Sequence, residues 1–256
     1  MRGKGQTITN ELQKLIERAK ALGYKEHWIR LTKEYVNELQ QRGVYCVDKF
    51  VRRLKRSTIG KDKREYWDIL MEGRFAVILT RNKFSRIHIE YSDKGPDIKA
   101  DWNKNTVYFE VMRRRFEVDE WAEESRDALP PPDKTENITD RIQDEIRKLQ
   151  IGKINILVFW SDTVKVLKLD MEKAFKYIQQ VINENPGMYK KLSGILFTEG
   201  GGVDVTTQKQ FCLFPNDKAS KPLGTRLAKK LDYLNEKSSK QLKRERERWT
   251  AILKRN

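Results

Sequence analysis

Residues Lys94–Arg115 read KGPDIKADWNKNTVYFEVMRRR. Two runs, PDIKADW and TVYFEVMRR, flank the turn chemistry of Asn103–Asn105, so the stretch predicts two strands joined as a hairpin. Alternate residues of a strand share a face. This sets Asp97, Lys99 and Asp101 on one side of the first strand, and Glu110, Met112 and Arg114 on one side of the second. Pairing across the turn then brings Asp97 and Glu110 together on the same side of the sheet. Glu110 stands among Tyr108, Phe109, Val111 and Met112. A carboxylate in so apolar a strand needs a cation or a metal beside it, because an unpaired buried charge is costly. Two carboxylates with a strand carbonyl make a hard oxygen site suited to Mg2+ or Mn2+. The competing reading makes Asp97 a turn cap, Glu110 half of a structural ion pair with Lys99 or an arginine, and Met112 core packing.

On the N-terminal side, KFSRIHIEYS alternates with period two and predicts a third strand, with Phe84, Arg86, His88 and Glu90 on one side and Ile87, Ile89 and Tyr91 on the other. Before it, Lys63–Asn82 has the spacing of a helix, with Trp67, Leu70, Met71, Phe75, Ile78 and Leu79 building one face. Further back lie two amphipathic helices within 8–41, stopped by Gly23 and Gly43, and a short basic helix, VDKFVRRLKRS. On the C-terminal side, 119–137 reads as a short helix and a Pro-rich loop, and ITDRIQDEIRKLQIG as a helix. INILVFW follows as a continuous apolar run, the mark of a strand covered on both faces. Met171–Lys190 reads as a helix, SGILFT and KQFCLFP as strands around Gly200–Gly202, and Leu223–Leu253 as a basic helix. The GGG run lacks the Lys-Ser/Thr of a phosphate loop, and the acidic DEWAEESRD reads as a solvated helix face. The class is α/β: a mixed β-sheet flanked by helices, its first three strands antiparallel and its fourth parallel through a helical crossover.

This order, helix, three strands, helix and buried strand over about Lys63–Trp160, together with Pro96-Asp97 and Glu110-Val111-Met112, resembles the PD-(D/E)xK nuclease superfamily, the restriction-endonuclease-like fold. The resemblance implies that Asp97, Glu110 and the carbonyl of Val111 hold a metal, Mg2+ with Mn2+ as a substitute. It also implies that Glu72, in the preceding helix, adds a further acid. The implied chemistry is phosphodiester hydrolysis, with a metal polarising the scissile phosphate and activating water. This chain departs from the family at Met112, where the motif has its lysine; a thioether carries neither a proton nor a charge to give. Lys99, on the face of Asp97, and Arg114, on the face of Glu110, are the replacements within reach.

The formal net charge of +16 is unevenly spread. Residues 1–60 hold fourteen Lys/Arg against six Asp/Glu and residues 218–256 thirteen against four, while 61–217 hold twenty-six against twenty-seven. We accordingly divide the chain into a basic helical N-terminal subdomain (1–60), a nuclease-like core (61–217) and a basic C-terminal helical extension (218–256). Basic ends suit a polyanion, since each cation that neutralises a phosphate releases a condensed counterion. Arg113, Arg114 and Arg115 at the end of the second hairpin strand, and Lys229, Lys230, Lys240, Lys243 and Arg244 in the last helix, are the expected phosphate contacts. Two distant cysteines, Cys46 and Cys212, give neither a disulfide framework nor a zinc site. No apolar run reaches the ~20 residues of a membrane span, and MRGKGQTITNELQKL has no signal-peptide core. The expectation is a cytoplasmic protein, nucleoid-associated in a prokaryote, that cuts DNA with RNA as the alternative substrate. It would act as a homodimer or in a larger nucleoprotein complex, because cutting both strands takes two sites. The second expectation is a nucleic-acid-binding or assembly module that kept the fold without the chemistry.

Overall fold

The computed structural model describes residues 2–58, 63–90, 95–113, 135–160, 186–198 and 211–235, with 173, 175–177 and 179–180 between them. Its centre is one six-stranded sheet whose spatial order is its chain order: β1 (Ser85–Ile89), β2 (Ile98–Trp102), β3 (Asn105–Arg113), β4 (Ile154–Trp160), β5 (Gly194–Thr198) and β6 (Cys212–Pro215). Strands β1, β2 and β3 are antiparallel, β3–β4 and β4–β5 are parallel, and β5–β6 is antiparallel. The β2–β3 hairpin closes through Asn103 and Lys104, with Asn103 at φ 53, a region that asparagine tolerates. Every residue of β4 is buried, as its unbroken apolar run predicts.

One face of the sheet carries Ile98, Ala100, Val107, Phe109, Ile156 and Val158, packed beneath α4 (Lys63–Arg81). The N-terminal helices α1 (Arg2–Ala21), α2 (Glu26–Gln41) and α3 (Val47–Ser57) continue this same core. Helix α1 stops at Gly23 in the left-handed region, φ 70. Helix α2 is tied to α4 by Arg81 on the Glu38 carboxylate (Nε–Oε1 2.8 Å) and by a 2.5 Å bond between the Thr32 and Tyr66 hydroxyls. Residues 2–58 therefore buttress the sheet rather than stand apart, and the core runs across the expected boundary at 60. The opposite face, with Met112, Leu157, Phe159, Ile195 and Phe197, packs against α5 (Thr135–Lys148) through Ile142 and Ile146, and against the single turn α6 (Pro186–Tyr189).

Four expectations are corrected. Phe84 does not share the side of Arg86: the register shifts between Ser85 and His88, Arg86 sits at φ 45, and Phe84 turns into the core against Phe109. A bulge of this kind breaks the period of two on which the alternation rests. Helix α5 begins at Thr135, inside the segment expected to be a loop. The basic C-terminal helix is shorter than Leu223–Leu253: α7 (Thr225–Asp232) buries Leu227 and Leu231 and ends at Tyr233, and residues 236–256 lie outside the described residues. Residues 218–235 also pack on the core, with Asn82 Nδ2 donating to the Asn235 carbonyl at 2.7 Å. The Gly200–Gly202 turn and the acidic run lie outside the described residues. Among the described residues no helix is long and apolar enough to cross a membrane.

Candidate functional site

Pairing between β2 and β3 runs from Trp102–Asn105 to Ile98–Phe109 and no further, whereas β3 continues to Arg113. Where β2 stops, a side chain takes over the ladder: the Asp97 carboxylate accepts a 2.9 Å hydrogen bond from the backbone N–H of Val111. This fixes Asp97 next to Glu110 and opens a notch at the end of the sheet that elements from both faces reach. The result is a cavity of about 380 Å³. Helix α4 supplies Asp68 and Glu72, the hairpin Asp97, Glu110, Val111 and Met112, α3 Arg53, and α5 Arg141, Asp144, Glu145 and Lys148.

The sequence-predicted acids thus converge. Glu72, 3 % exposed, accepts a 2.8 Å bond from Arg53 Nη1, which also donates to Glu90 Oε1 at 2.8 Å. Glu110, 5 % exposed, has Lys148 Nζ 3.5 Å from its Oε1, while its Oε2 is buried and accepts no hydrogen bond. Lys148 in turn bonds Glu145. Burial first, then the repulsion between neighbouring acids, raises all three carboxyl groups. Asp97 is pushed up to about 6, with the Val111 N–H and Arg53 opposing. Glu110 is pushed up to about 9, with Asp97 and Glu145 adding to burial and Lys148 opposing. Glu72 goes well above the carboxylate range, chiefly through burial and Asp97, despite Arg53. The two cations are raised as well, which for a base favours the charged form. Burial alone would lower Arg53 and Lys148, but Glu72 and Glu90 raise the first, and Glu145, Glu110 and Asp97 raise the second. The cavity is therefore short of positive charge around three buried carboxylates.

Among the described residues no three His, Cys, Asp or Glu side chains converge as a metal-holding group. What the cavity offers is narrower: the paired carboxylates of Asp97 and Glu110, with an unsatisfied Glu110 oxygen, in a hard-oxygen setting that a small divalent cation fits. Met112 lines the wall and is otherwise buried in the core beneath α5. Lys99, one of the two replacements expected for the motif lysine, is not part of the cavity lining. It stands across from His88 on one side and Tyr108 on the other, two residues and about 6–7 Å along β2 from Asp97. The cation beside Glu110 is instead Lys148, from a helix 38 residues further along the chain. Asp101 belongs to a separate ion pair, with Arg86 Nε at 2.5 Å and the Thr106 hydroxyl at 2.7 Å.

Of the expected phosphate contacts, Arg113 ends β3 opposite Trp160, but its side chain, Arg114, Arg115, Lys240, Lys243 and Arg244 lie outside the described residues. Lys229 is exposed on α7. Lys230 is not a free phosphate contact: its Nζ lies 3.1 Å from Asn82 Oδ1 at the far end of α4, about 15 Å along the helix from Glu72. The residues that sequence reasoning missed are Arg53, Asp68 and the α5 set. Arg141, Asp144, Glu145 and Lys148 recur at i, i+3, i+4 and i+7, a polar stripe beside the apolar one of Ile142, Ile146 and Leu149. That spacing was legible as one face of a helix; what the face looks onto was not. Set against protein-family models, curated proteins and solved structures, the chain matches none.

Proposed function

We propose that the protein is a metal-dependent endonuclease that hydrolyses DNA phosphodiester bonds, on a core of the restriction-endonuclease-like kind. One observation carries the reading: Glu72, Asp97 and Glu110 share one cavity, are raised in pKa by burial and by neighbouring acids, and leave a Glu110 oxygen unsatisfied. Buried acids held together at such a cost are a functional-site signature more often than a structural one. Asp97 and Glu110 would hold Mg2+, or Mn2+ in its place, with Val111 at the same edge. Bound there, the ion supplies Lewis-acid polarisation of a phosphate oxygen. The remaining roles belong to the chain. Lys148 takes the charge-compensating role that Met112 cannot, its ammonium fixed by Glu145 within reach of the notch. Arg53 holds Glu72 and Glu90 in place, and the exposed part of its side chain would be open to a phosphate. Site-specific cutting is the form that helical flanks around such a core support best.

A specific feature favours a second reading. Arg53 and Lys148 already partner Glu72 and Glu110, as they would in a structural network within a nucleic-acid-binding module. Cleavage of supercoiled plasmid, single-stranded DNA and RNA, in Mg2+ and in Mn2+, separates the two. Wild type is expected to cut, Asp97→Ala and Glu110→Ala to be inactive, and Lys148→Ala to lose about 10²–10³-fold, as for removal of one charge-stabilising donor. Lys99→Ala should keep its rate at saturating DNA, because Lys99 does not line the cavity. If wild type binds these substrates but cuts none in either metal, the binding-module reading stands.

A further inference from the structure

Next to the acidic cavity, on the side of Asp97 and Lys99, lies a pair of stacked rings that the proposed chemistry does not use. Tyr45 is 51 % exposed, and its ring stacks on the His88 imidazole with centroids 4.3 Å apart and planes at 14°. The backbone pins it there. Tyr45 N donates to the Ile87 carbonyl at 2.8 Å and Ile89 N to the Tyr45 carbonyl at 3.2 Å, so one residue of chain is added as a parallel strand beside β1. Cys46, at φ 66, then turns the chain directly into α3. The backbone of Tyr45 is thus fixed while its ring stacks on His88 and stays exposed.

Two lysines lie near the rings in register or in chain, with Asp48, itself paired with Arg52, beside the second. Lys99 stands directly across the sheet from His88, and Lys49 is exposed in the first turn of α3. Burial first and then Lys99 lower the His88 pKa, with Asp101 opposing, which disfavours an added charge beneath the Tyr45 ring. The rings also stand at a useful distance. Glu90 follows His88 by two residues and Asp97 precedes Lys99 by two, which puts the platform about 6–7 Å along the strands from the acids. A flat ring with basic neighbours, one such step from the cavity, has the chemistry of an unpaired nucleobase on a polyanionic backbone.

We propose that Tyr45 and His88 form a stacking platform for one unpaired base of a DNA strand whose backbone passes Lys99 and enters the acidic cavity. The route into the cavity rests on the nuclease reading; the base site itself does not. The platform implies a substrate that is single-stranded or locally opened beside the scissile bond, in preference to an intact duplex.

The test is binding without turnover, in EDTA, of a short single-stranded DNA carrying 2-aminopurine, with a blunt duplex and the matching RNA as further arms. Wild type is expected to quench the reporter and to bind the single strand more tightly than the duplex. Tyr45→Ala should lose about 10-fold in single-strand affinity together with the quenching, and Tyr45→Trp should restore both. Since the strand-like pairing of Tyr45 uses only its backbone, Tyr45→Ala should keep the wild-type Tm within a few degrees. Unchanged single-strand affinity and quenching in Tyr45→Ala overturn the proposal. So does preference for the duplex, or loss of binding that Tyr45→Trp fails to restore. Tighter binding of the RNA with the same Tyr45 dependence overturns the assignment to DNA. Cleavage is scored separately with Asp97→Ala: wild-type cutting with no Tyr45 dependence sinks the platform alone, and Tyr45-dependent binding without any cutting sinks the nuclease reading alone.

Discussion

Glu110 shows how much one side chain can hold in tension. Its strand neighbours force it into an apolar setting, Asp97 and Glu145 add negative charge, and Lys148 offsets only part of this. The sign of the consequence is fixed by linkage. A carboxyl raised in the folded state binds its proton more tightly there than in the unfolded chain. Its cost is absent below the ordinary carboxylate range and grows as pH rises, through about 6 for Asp97 and about 9 for Glu110. Glu110→Gln is therefore expected to melt above wild type, with a Tm gap that widens between pH 5 and pH 9 and narrows when Mg2+ is added to wild type. Thermal melts at the two pH values check this, and a gap independent of pH contradicts it. Arg53 makes the complementary case. Its loss leaves Glu72, 3 % exposed, without its cation. Fully buried pairs broken in this way cost about 3–5 kcal/mol, and the partial exposure of Arg53 reduces the expectation to about 2 kcal/mol. Urea unfolding of Arg53→Met should show that loss, and Glu72→Gln in the same chain should recover most of it.

At the scale of elements, the site depends on α3 lying unusually close to α4. A Cβ on Gly73 would come within 2.4 Å of Phe50 Cζ, and Phe50 is fully buried, so the ring cannot swing into solvent. Three residues on, Arg53 points to Glu72, the residue beside Gly73. The glycine thus sets the distance over which the guanidinium reaches the carboxylate. Gly73→Ala is expected to destabilise by about 1–3 kcal/mol through overpacking, and to disturb metal-dependent activity in the same variant. Pairing it with Phe50→Leu should return stability; if Gly73→Ala alone unfolds at the wild-type urea midpoint, the close approach is not what holds these helices. Helix α5 contributes by a different device, laying its apolar stripe on β4 and its charged stripe over the notch at once.

At the scale of the molecule, a near-neutral sheet is framed by two basic ends, and both ends, as far as they are described, pack onto one core. The described part of each basic end is therefore fixed to the sheet rather than tethered to it, and a net charge of this sign suits a polyanionic partner. Binding of DNA in EDTA should weaken by about 10²-fold or more between 50 and 200 mM salt, the response expected when about four phosphates are neutralised. Fluorescence anisotropy across that range measures it, and an affinity indifferent to salt removes the nucleic-acid reading at its base.

The amino-acid sequence by itself determined the antiparallel β1–β2–β3 run, the parallel sense of β4, a hairpin turn at Asn103–Asn105, the burial of β4 on both faces, and the meeting of Asp97 with Glu110. All of these follow from local periodicity and from a turn that fixes register, so they are written in residues close together in the chain. Tertiary structure alone decided the rest. Lys148, not Lys99, faces Glu110, because that depends on how α5 crosses the sheet. Arg53 reaches Glu72 because α3 and α4 touch at Gly73. Phe84 leaves its predicted side because of a bulge, and Tyr45 joins β1 from 43 residues upstream of His88. Periodicity states which face of an element is apolar; it carries no information on which polar face, from which distant element, will be brought against it by packing.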